Sequence, residues 1–218
     1  QALARAFHQQ GFKVCATARR ADTLQPLAHE GVLTRTLDVT DDAAVAALLS
    51  ELTSTGHQVG ALVNNAGYGA MGPMLDVPTA EWQRQFDVNL FAPMALTRAV
   101  LPGMIQRRRG LVVNISSVSG VLTTPFAGPY CASKAAFNAA SDALRMELAP
   151  LGVQVVTVQP GGIQSAFGSN ASNAVSLGAD SPYQAIKASV LARANESQSN
   201  AMPADTFARL LVDQLLKA

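Results

Sequence analysis

The sequence predicts an α/β domain built on a doubly wound parallel sheet. Two observations carry that reading: β-rich runs alternate with helical patterns along most of the chain, and chemically distinctive residues stand just after several of those runs, where open parallel sheets bind their ligands. A third agrees with them, since 49% of the 218 residues are hydrophobic, enough to bury a sizeable core.

The elements follow in order. Leu3, Ala6 and Phe7 recur at helical spacing, Gly11 ends that helix, and "FKVCATA" reads as the first strand. A polar helix from about Asp22 leads to the strand "VLTRTL". Asp41 and Asp42 then open the apolar helix "AAVAALLSEL", and "ALVN" is the next strand. A long helix begins near Thr79, read as its cap, and Pro93 and Pro102 are expected to kink or divide it. "GLVVNIS", "AFNAASDALRMELAP" and "VQVVTVQP" continue as strand, helix and strand. After Pro160 the Gly-, Ser- and Asn-rich "GGIQSAFGSNASNAVSLGAD" is expected to be a long flexible loop, with helices starting near Ser181-Pro182 and Pro203. No repeat or shift in composition marks a second unit, so residues 1–218 read as a single domain, with 163–203 as its substrate loop region.

Composition narrows the function. Charged residues make up 14%, with 16 basic against 15 acidic, so no global field directs the chain to nucleic acid or to an anionic membrane. The expected partner is a small molecule or another copy of the chain. The basic run Arg107 to Arg109 reads as a solvated helix end. Cys15 and Cys131 are far apart and make neither a metal cluster nor a disulfide framework, and His8, His29 and His57 are scattered, so no metal site is expected and a reducing compartment is favoured. No apolar run approaches the ~18 residues needed to span a bilayer, which points to a cytoplasmic protein.

Two stretches carry a tyrosine four residues before a lysine: "PYCASKAA" with Tyr130 and Lys134, and "PYQAIKAS" with Tyr183 and Lys187. On a helix either pair shares one face, so spacing alone does not choose between them. The residues standing just after strands are Arg19 and Arg20, Asp38, the run Asn64 to Gly67, Ser116 and Ser117, and Pro160 with Gly161.

The pieces "NNAG", the Asn of "FDVNLFAP", "NISSVSG", "YCASK" and "VQPGGI" occur in an order and spacing that resemble the short-chain dehydrogenase/reductase family, over nearly the whole chain. "CASKAAF" and the apolar loops are similar to its hydroxysteroid and retinol dehydrogenase branches. The resemblance implies a Rossmann-type fold and an oxidoreductase moving a hydride between a nicotinamide cofactor and an alcohol/carbonyl pair. In that family the catalytic serine ends a strand 13 residues before the tyrosine; Ser117 has this offset from Tyr130, whereas Asn170 holds it from Tyr183. Tyr130 is therefore the functional tyrosine, and Tyr183 a helix start, capped by Ser181, facing the substrate loop. Ser116 is read as structural.

By the same resemblance the catalytic set is Asn89, Ser117, Tyr130 and Lys134. Reduction of a carbonyl builds negative charge on oxygen that must be stabilised and protonated. A tyrosine with a reference pKa near ~10 exchanges protons poorly at neutral pH, and the charge of Lys134 is expected to favour its phenolate. Ser117 would orient the substrate oxygen, Lys134 would also hold the nicotinamide ribose, and Asn89 would hold a water linking the lysine to solvent. Arg19 and Arg20 stand where an NAD site carries a carboxylate, so NADP is favoured over NAD. Asp38 matches the residue beside the adenine, Asn64, Ala66 and Gly67 the segment along the cofactor backbone, and Pro160, Gly161 and Ile163 the segment along the nicotinamide; Tyr130 and Lys134 also touch the cofactor. Ser165 stands where the family has threonine. Tyr68, Met71, Phe126 and Phe167, in loops around the site, suggest an apolar substrate.

The resemblance further implies a homodimer or homotetramer, formed through the helix after Thr79 and the helix after Tyr130. It also implies a strand order 3-2-1-4-5-6-7. The family's first strand with its glycine-rich turn, and its last strand, are not among these residues, and the first belongs between "KVCATA" and "ALVN". The 218 residues alone are accordingly expected to fold poorly and to bind no dinucleotide. The alternative reading is a catalytically silent fragment or interaction module that keeps the fold without the cofactor; a sugar-nucleotide epimerase of the extended relatives is set aside because the chain is short.

Overall fold

A computed structural model describes residues 1–173 and 175–217. The chain opens with α1 (Ala2–Gln9), β1 (Cys15–Ala18), a 3-10 turn running into α2 (Gln25–His29), and β2 (Leu33–Thr36). Then come α3 (Asp42–Ser54), β3 (Ala61–Asn64), α4 (Thr79–Phe86), α5 (Ala92–Gln106) and β4 (Gly110–Ile115). The rest is α6 (Gly128–Leu148), β5 (Val153–Val158), α7 (Phe167–Asn173), α8 (Lys187–Asn195) and α9 (Ala204–Leu215). All strand pairings among the described residues are parallel, as helices between successive strands require.

The sheet lies in two pieces, β1 paired with β2 and β3-β4-β5 in that order. Cys15 stands opposite Leu33, Asn64 opposite Asn114, and Gly110 opposite Val153. The two orders are those that the family's strand order implies once its first strand is left out. The main core lies where α5 and α6 cover the larger piece: Val100, Leu101 and Met104 of α5 meet Val112, Val153, Val155 and Leu148. Met104 and Val112 are completely buried, each removing apolar area worth about 1.5–3 kcal/mol from water.

Several local expectations are corrected. Asp41 does cap α3, its carboxylate accepting from the Ala44 amide at 3.0 Å, but Thr79 is the first residue of α4 and Pro78 occupies the cap position without a side-chain bond. The long helix is divided not at its prolines but at a π turn, Asp87–Phe91. Pro93, in the first turn of α5, has no N–H to offer the carbonyl four residues back, that of Asn89, and the ladder re-forms around the gap. Pro102 is accommodated inside α5. Residues 167–173, expected as loop, are α7, because Phe167 and Ala171, four apart, both enter a buried cluster. The helix expected from Ser181 starts as α8 only at Lys187, after a 3-10 turn.

The expectation that no apolar run is long enough to span a bilayer also needs correction. The helical stretch Thr79–Gln106 has 28 residues and a window of mean hydropathy 1.3, long and apolar enough by those measures, with 39% of that window buried in the fold. Its buried polar residues Gln85, Asn89 and Thr97 all bond to other parts of this chain, the situation of a core helix. The basic run behaves as read: Arg107 to Arg109 are exposed at the end of α5, where Arg107 and Arg108 donate to the carbonyls of Val59 and Pro150, both at 2.9 Å.

Gly152 turns the chain into β5 at φ +77°, and a Cβ there would stand 2.4 Å from the Arg108 carbonyl oxygen. Gly11 has a similar φ of +83° with open space around it. Gly11→Ala should cost only the left-handed strain of about 1–2 kcal/mol, whereas Gly152→Ala should cost about 1–3 kcal/mol more because backbone must move. Denaturant unfolding of both variants checks the difference, and equal losses would show that the Arg108 turn yields freely.

Candidate active site

The site is assembled at the carboxyl ends of β3, β4 and β5, beginning beneath the surface. Asn64 and Asn114, opposite one another on β3 and β4, are both buried. Asn64 Nδ2 donates to Asn114 Oδ1 at 2.9 Å and to Thr97 Oγ1 at 3.0 Å, and Asn114 Nδ2 donates to Ser141 Oγ at 2.8 Å. This chain of bonds ties the two strands to α5 and α6. The side chain of Asn64, expected at the cofactor, is thus committed to the interior, leaving only its backbone to the groove.

Beyond Asn64 the loop bends over Asn89. The Asn89 amide, 1% exposed, accepts from the Tyr68 N–H at 3.2 Å and donates to the Tyr68 carbonyl at 3.0 Å and to Ser133 Oγ at 3.1 Å. Ser133 Oγ in turn donates to the Tyr130 carbonyl at 2.8 Å. Gln85, one turn earlier on the same face, was not anticipated. Completely buried, it accepts from the Ala70 N–H at 2.6 Å and donates to the Tyr68 carbonyl at 2.8 Å. The two amides hold residues 68–70 from both sides, and the four-residue spacing within one helix was the available signal. The loop comes so close that a Cβ on Gly67 would lie 3.2 Å from Asn89 Oδ1 and 3.7 Å from Lys134 Nζ.

Tyr130 and Lys134 occupy the first turns of α6 and are 8% and 5% exposed. Lys134 Nζ donates to the Ile115 carbonyl at 2.9 Å, and burial pulls its pKa down to about 8. Burial pushes the Tyr130 phenol up from its ordinary range; the Ser117 hydroxyl opposes this, Cys131 adds to it, and the charge of Arg193 opposes it. The expectation that Lys134 lowers the phenol is therefore not met: its charge is directed at Ile115, and desolvation dominates the tyrosine. Ser117, also buried, accepts from the Ser119 N–H at 3.1 Å, so its own proton remains to be donated. Ser116 Oγ lies 3.4 Å from the Lys134 carbonyl and its N–H donates to Val158 at 2.7 Å, a structural role as read.

The remaining candidates rim this centre. Arg19, Arg20 and Asp38 are exposed just beyond β1 and β2. Arg20 approaches Asp22 at 3.4 Å, while Asp38 accepts from the N–H and hydroxyl of Thr40 at 3.0 and 2.7 Å, which hold its carboxyl below the usual range. Ala66 and Gly67 are exposed after β3, and the Pro160 carbonyl accepts from Val118 N–H at 3.1 Å. A Cβ on Gly161 would meet nothing within 4 Å, leaving open space at the end of β5 where a planar ring can approach. Ile163 forms a parallel bridge with Met202, closing the base of the 163–203 segment.

Of the apolar residues expected here, Met71 and Phe167 pack in the cluster containing Tyr130, the Phe167 ring 5.3 Å from the phenol ring. Tyr68 instead lies under the Arg84 guanidinium at 4.7 Å, and burial, with Glu81 adding to it, pushes its pKa up to about 12. Phe126 meets Tyr183 edge-on at 5.8 Å. Tyr183 stands ahead of the 3-10 turn and Lys187 begins α8, so this second pair straddles two helix types, and Ser181 Oγ accepts from the Tyr183 N–H at 3.1 Å.

This arrangement can orient a carbonyl oxygen with a hydroxyl and protonate it with a phenol, with a buried ammonium one helical turn further along α6. Known proteins resemble the chain in sequence and fold. A family model described as short chain dehydrogenase matches residues 1–176. A short-chain dehydrogenase of Penicillium ochrochloron is 37% identical over 219 residues, covering 99% of this chain and 79% of the relative. The NADPH-dependent 1-acyldihydroxyacetone phosphate reductase of Schizosaccharomyces pombe is 38% identical over 165 residues, 75% of this chain and 55% of that protein. The solved structure of a short-chain dehydrogenase from Streptomyces avermitilis superposes with a TM-score of 0.85 at 31% identity, over 100% of this chain and 79% of its own. The matched region contains every element that positions Ser117, Tyr130 and Lys134, and the chain belongs to the short-chain dehydrogenase/reductase family of oxidoreductases.

Proposed function

We propose that this protein moves a hydride between NADP(H) and an alcohol/carbonyl pair whose body is apolar, working most readily as a carbonyl reductase. The observation that carries the reading is Tyr130, buried beside Ser117 and one helical turn before a buried Lys134. Bound along the strand ends, the cofactor supplies or accepts the hydride. The donor set fits such a molecule: exposed guanidinium groups of Arg19 and Arg20 at one end, the open approach over Gly161 at the other, and Lys134 between.

Ser117 donates to the carbonyl oxygen and fixes its direction. Negative charge growing on that oxygen is met by the proton of Tyr130, which burial retains on the phenol until an acceptor arrives. Lys134, one turn along α6 and held at the Ile115 carbonyl, is the buried ammonium that would hold the nicotinamide ribose. Met71, Phe167, Ala171 and Ala194 pack around Tyr130 and supply an apolar wall. The arginine pair after β1, with no carboxylate there, supports NADP over NAD, in line with the NADPH-dependent relative. Exposed Phe91 and Met146, on the long helices, suit the proposed homodimer or homotetramer contact.

Tyr130→Phe should lower carbonyl reduction at least ~100-fold while Tyr183→Phe leaves most of it. Steady-state turnover with NADPH and a panel of aldehydes and ketones measures this, and comparable activity in the two variants would refute the assignment. Because the lysine proton is lost as pH rises through about 8, reductive kcat/KM should fall above that pH; a profile flat up to pH ~10 would exclude a role for the lysine charge. Arg19→Ala should weaken NADPH use far more than NADH use, since only NADPH carries the 2′-phosphate. An unchanged ratio of the two kcat/KM values would remove Arg19 from the cofactor site.

A further inference from the structure

The 163–203 segment leaves and rejoins the sheet at one point, where Met202 N–H donates to the Gly162 carbonyl and Gln164 N–H to the Met202 carbonyl, both at 2.9 Å. Between those ends α8 lies over the reacting phenol: Ala194, 2% exposed, belongs to the cluster that contains Tyr130, Met71 and Ala171. Its neighbour Arg193 is the cation that this segment brings to the apolar wall. The side chain is 18% exposed, whereas Glu196, whose Oε2 stands 3.2 Å from Arg193 Nε, is 67% exposed. That Nε is buried and lacks hydrogen-bond geometry to any acceptor, and Nη2 donates to Thr124 Oγ1 in the loop leading into α6. Among the described residues this mostly buried guanidinium thus meets a neutral hydroxyl on one side and a single exposed carboxylate on the other, and its charge is under-compensated. Its charge also reaches the phenol, favouring the anionic form of Tyr130.

We propose that Arg193 is a specificity-determining residue that pairs with an acidic group, a carboxylate or phosphate, on a substrate whose apolar body lies against Met71, Phe167 and Ala194. The substrate is then amphipathic: a carbonyl at Tyr130, a hydrocarbon portion on the wall and an anion at Arg193. Glu196 acts as the placeholder that holds the guanidinium until the substrate displaces it. The inference rests on the oxidoreductase reading given above.

The test compares medium-chain oxo acids, with the carbonyl at varied distance from the carboxylate, with their methyl esters, using NADPH as reductant. Alongside it, calorimetry measures the binding of decanoate and of methyl decanoate. The acid of best spacing should exceed its ester in kcat/KM by at least about 10-fold, as a charge-assisted pair allows. Arg193→Gln should bring that ratio near one, chiefly through KM, and should abolish the preference for decanoate. Arg193→Lys should restore part of the ratio, and Glu196→Gln, which frees the guanidinium, should raise it. Thr124→Val, which removes the contact to the loop but not the charge, should leave the ratio in place. Equal losses for acid and ester in Arg193→Gln and Thr124→Val would overturn the proposal and make Arg193 a latch holding α8. Turnover of esters with no advantage for any acid would overturn it while preserving the oxidoreductase reading. Failure to reduce any acid or ester would defeat that reading, and this inference with it.

Discussion

The pairing of Asn64 with Asn114 is the constraint on which the site depends. Each strand carries a buried amide at the same rung, and a buried amide without a partner costs about 1–3 kcal/mol. Sliding β3 by one residue against β4 would put the two amides on opposite faces of the sheet and break both bonds. The register is thereby set by polar groups as well as by the apolar core, and with it the level at which both strands end. Gly67 after β3 and Ser117 after β4 come to the same edge, and Ser141 and Thr97 bring α6 and α5 into the same network.

A second set of amides converts that edge into a pocket. Asn89 lies within the π turn at 87–91, and Gln85 lies one turn before it. Together they satisfy the backbone of Tyr68 and Ala70, groups that would otherwise be buried without partners. Because Asn89 also reaches Ser133, and Ser133 the Tyr130 carbonyl, the loop after β3 and the first turn of α6 are positioned by one connected set of bonds. Tyr130 is thus held from its backbone, while its ring is left to the apolar cluster and its hydroxyl to Ser117.

The electrostatics follow from depth. Desolvation raises the tyrosine and lowers the lysine, so burial favours the neutral form of both groups: the phenol keeps its proton and the ammonium gives its proton up more easily. The segment carrying α7 and α8 contributes to that depth by covering Tyr130 with Phe167, Ala171 and Ala194. Its two ends are tied together beside the sheet by the bridge between Ile163 and Met202.

Much of this was legible in the residues. Alternating strand and helix patterns and the order of the five motifs were enough for the fold class and the family, and the 13-residue offset between Ser117 and Tyr130 singled out a pair that the structure does bring together, because each expresses a local preference or a spacing along one chain. Other features could not be read in that way. The glycine- and serine-rich run around Phe167 has little helical propensity of its own and forms α7 because Phe167 and Ala171 find a buried surface far away in sequence. Asn64 looks like a cofactor ligand until Asn114 and Thr97 claim its side chain, and Gln85 looks like helix surface until Tyr68 and Ala70 fold onto it. Arg193 is one basic residue among 16 until α8 lays it beside Tyr130. The sequence by itself determined the architecture and singled out the candidate groups, through periodicity, spacing and motif order; the tertiary structure alone decided burial, and burial sets which polar groups must be paired and which charges are left to meet a ligand.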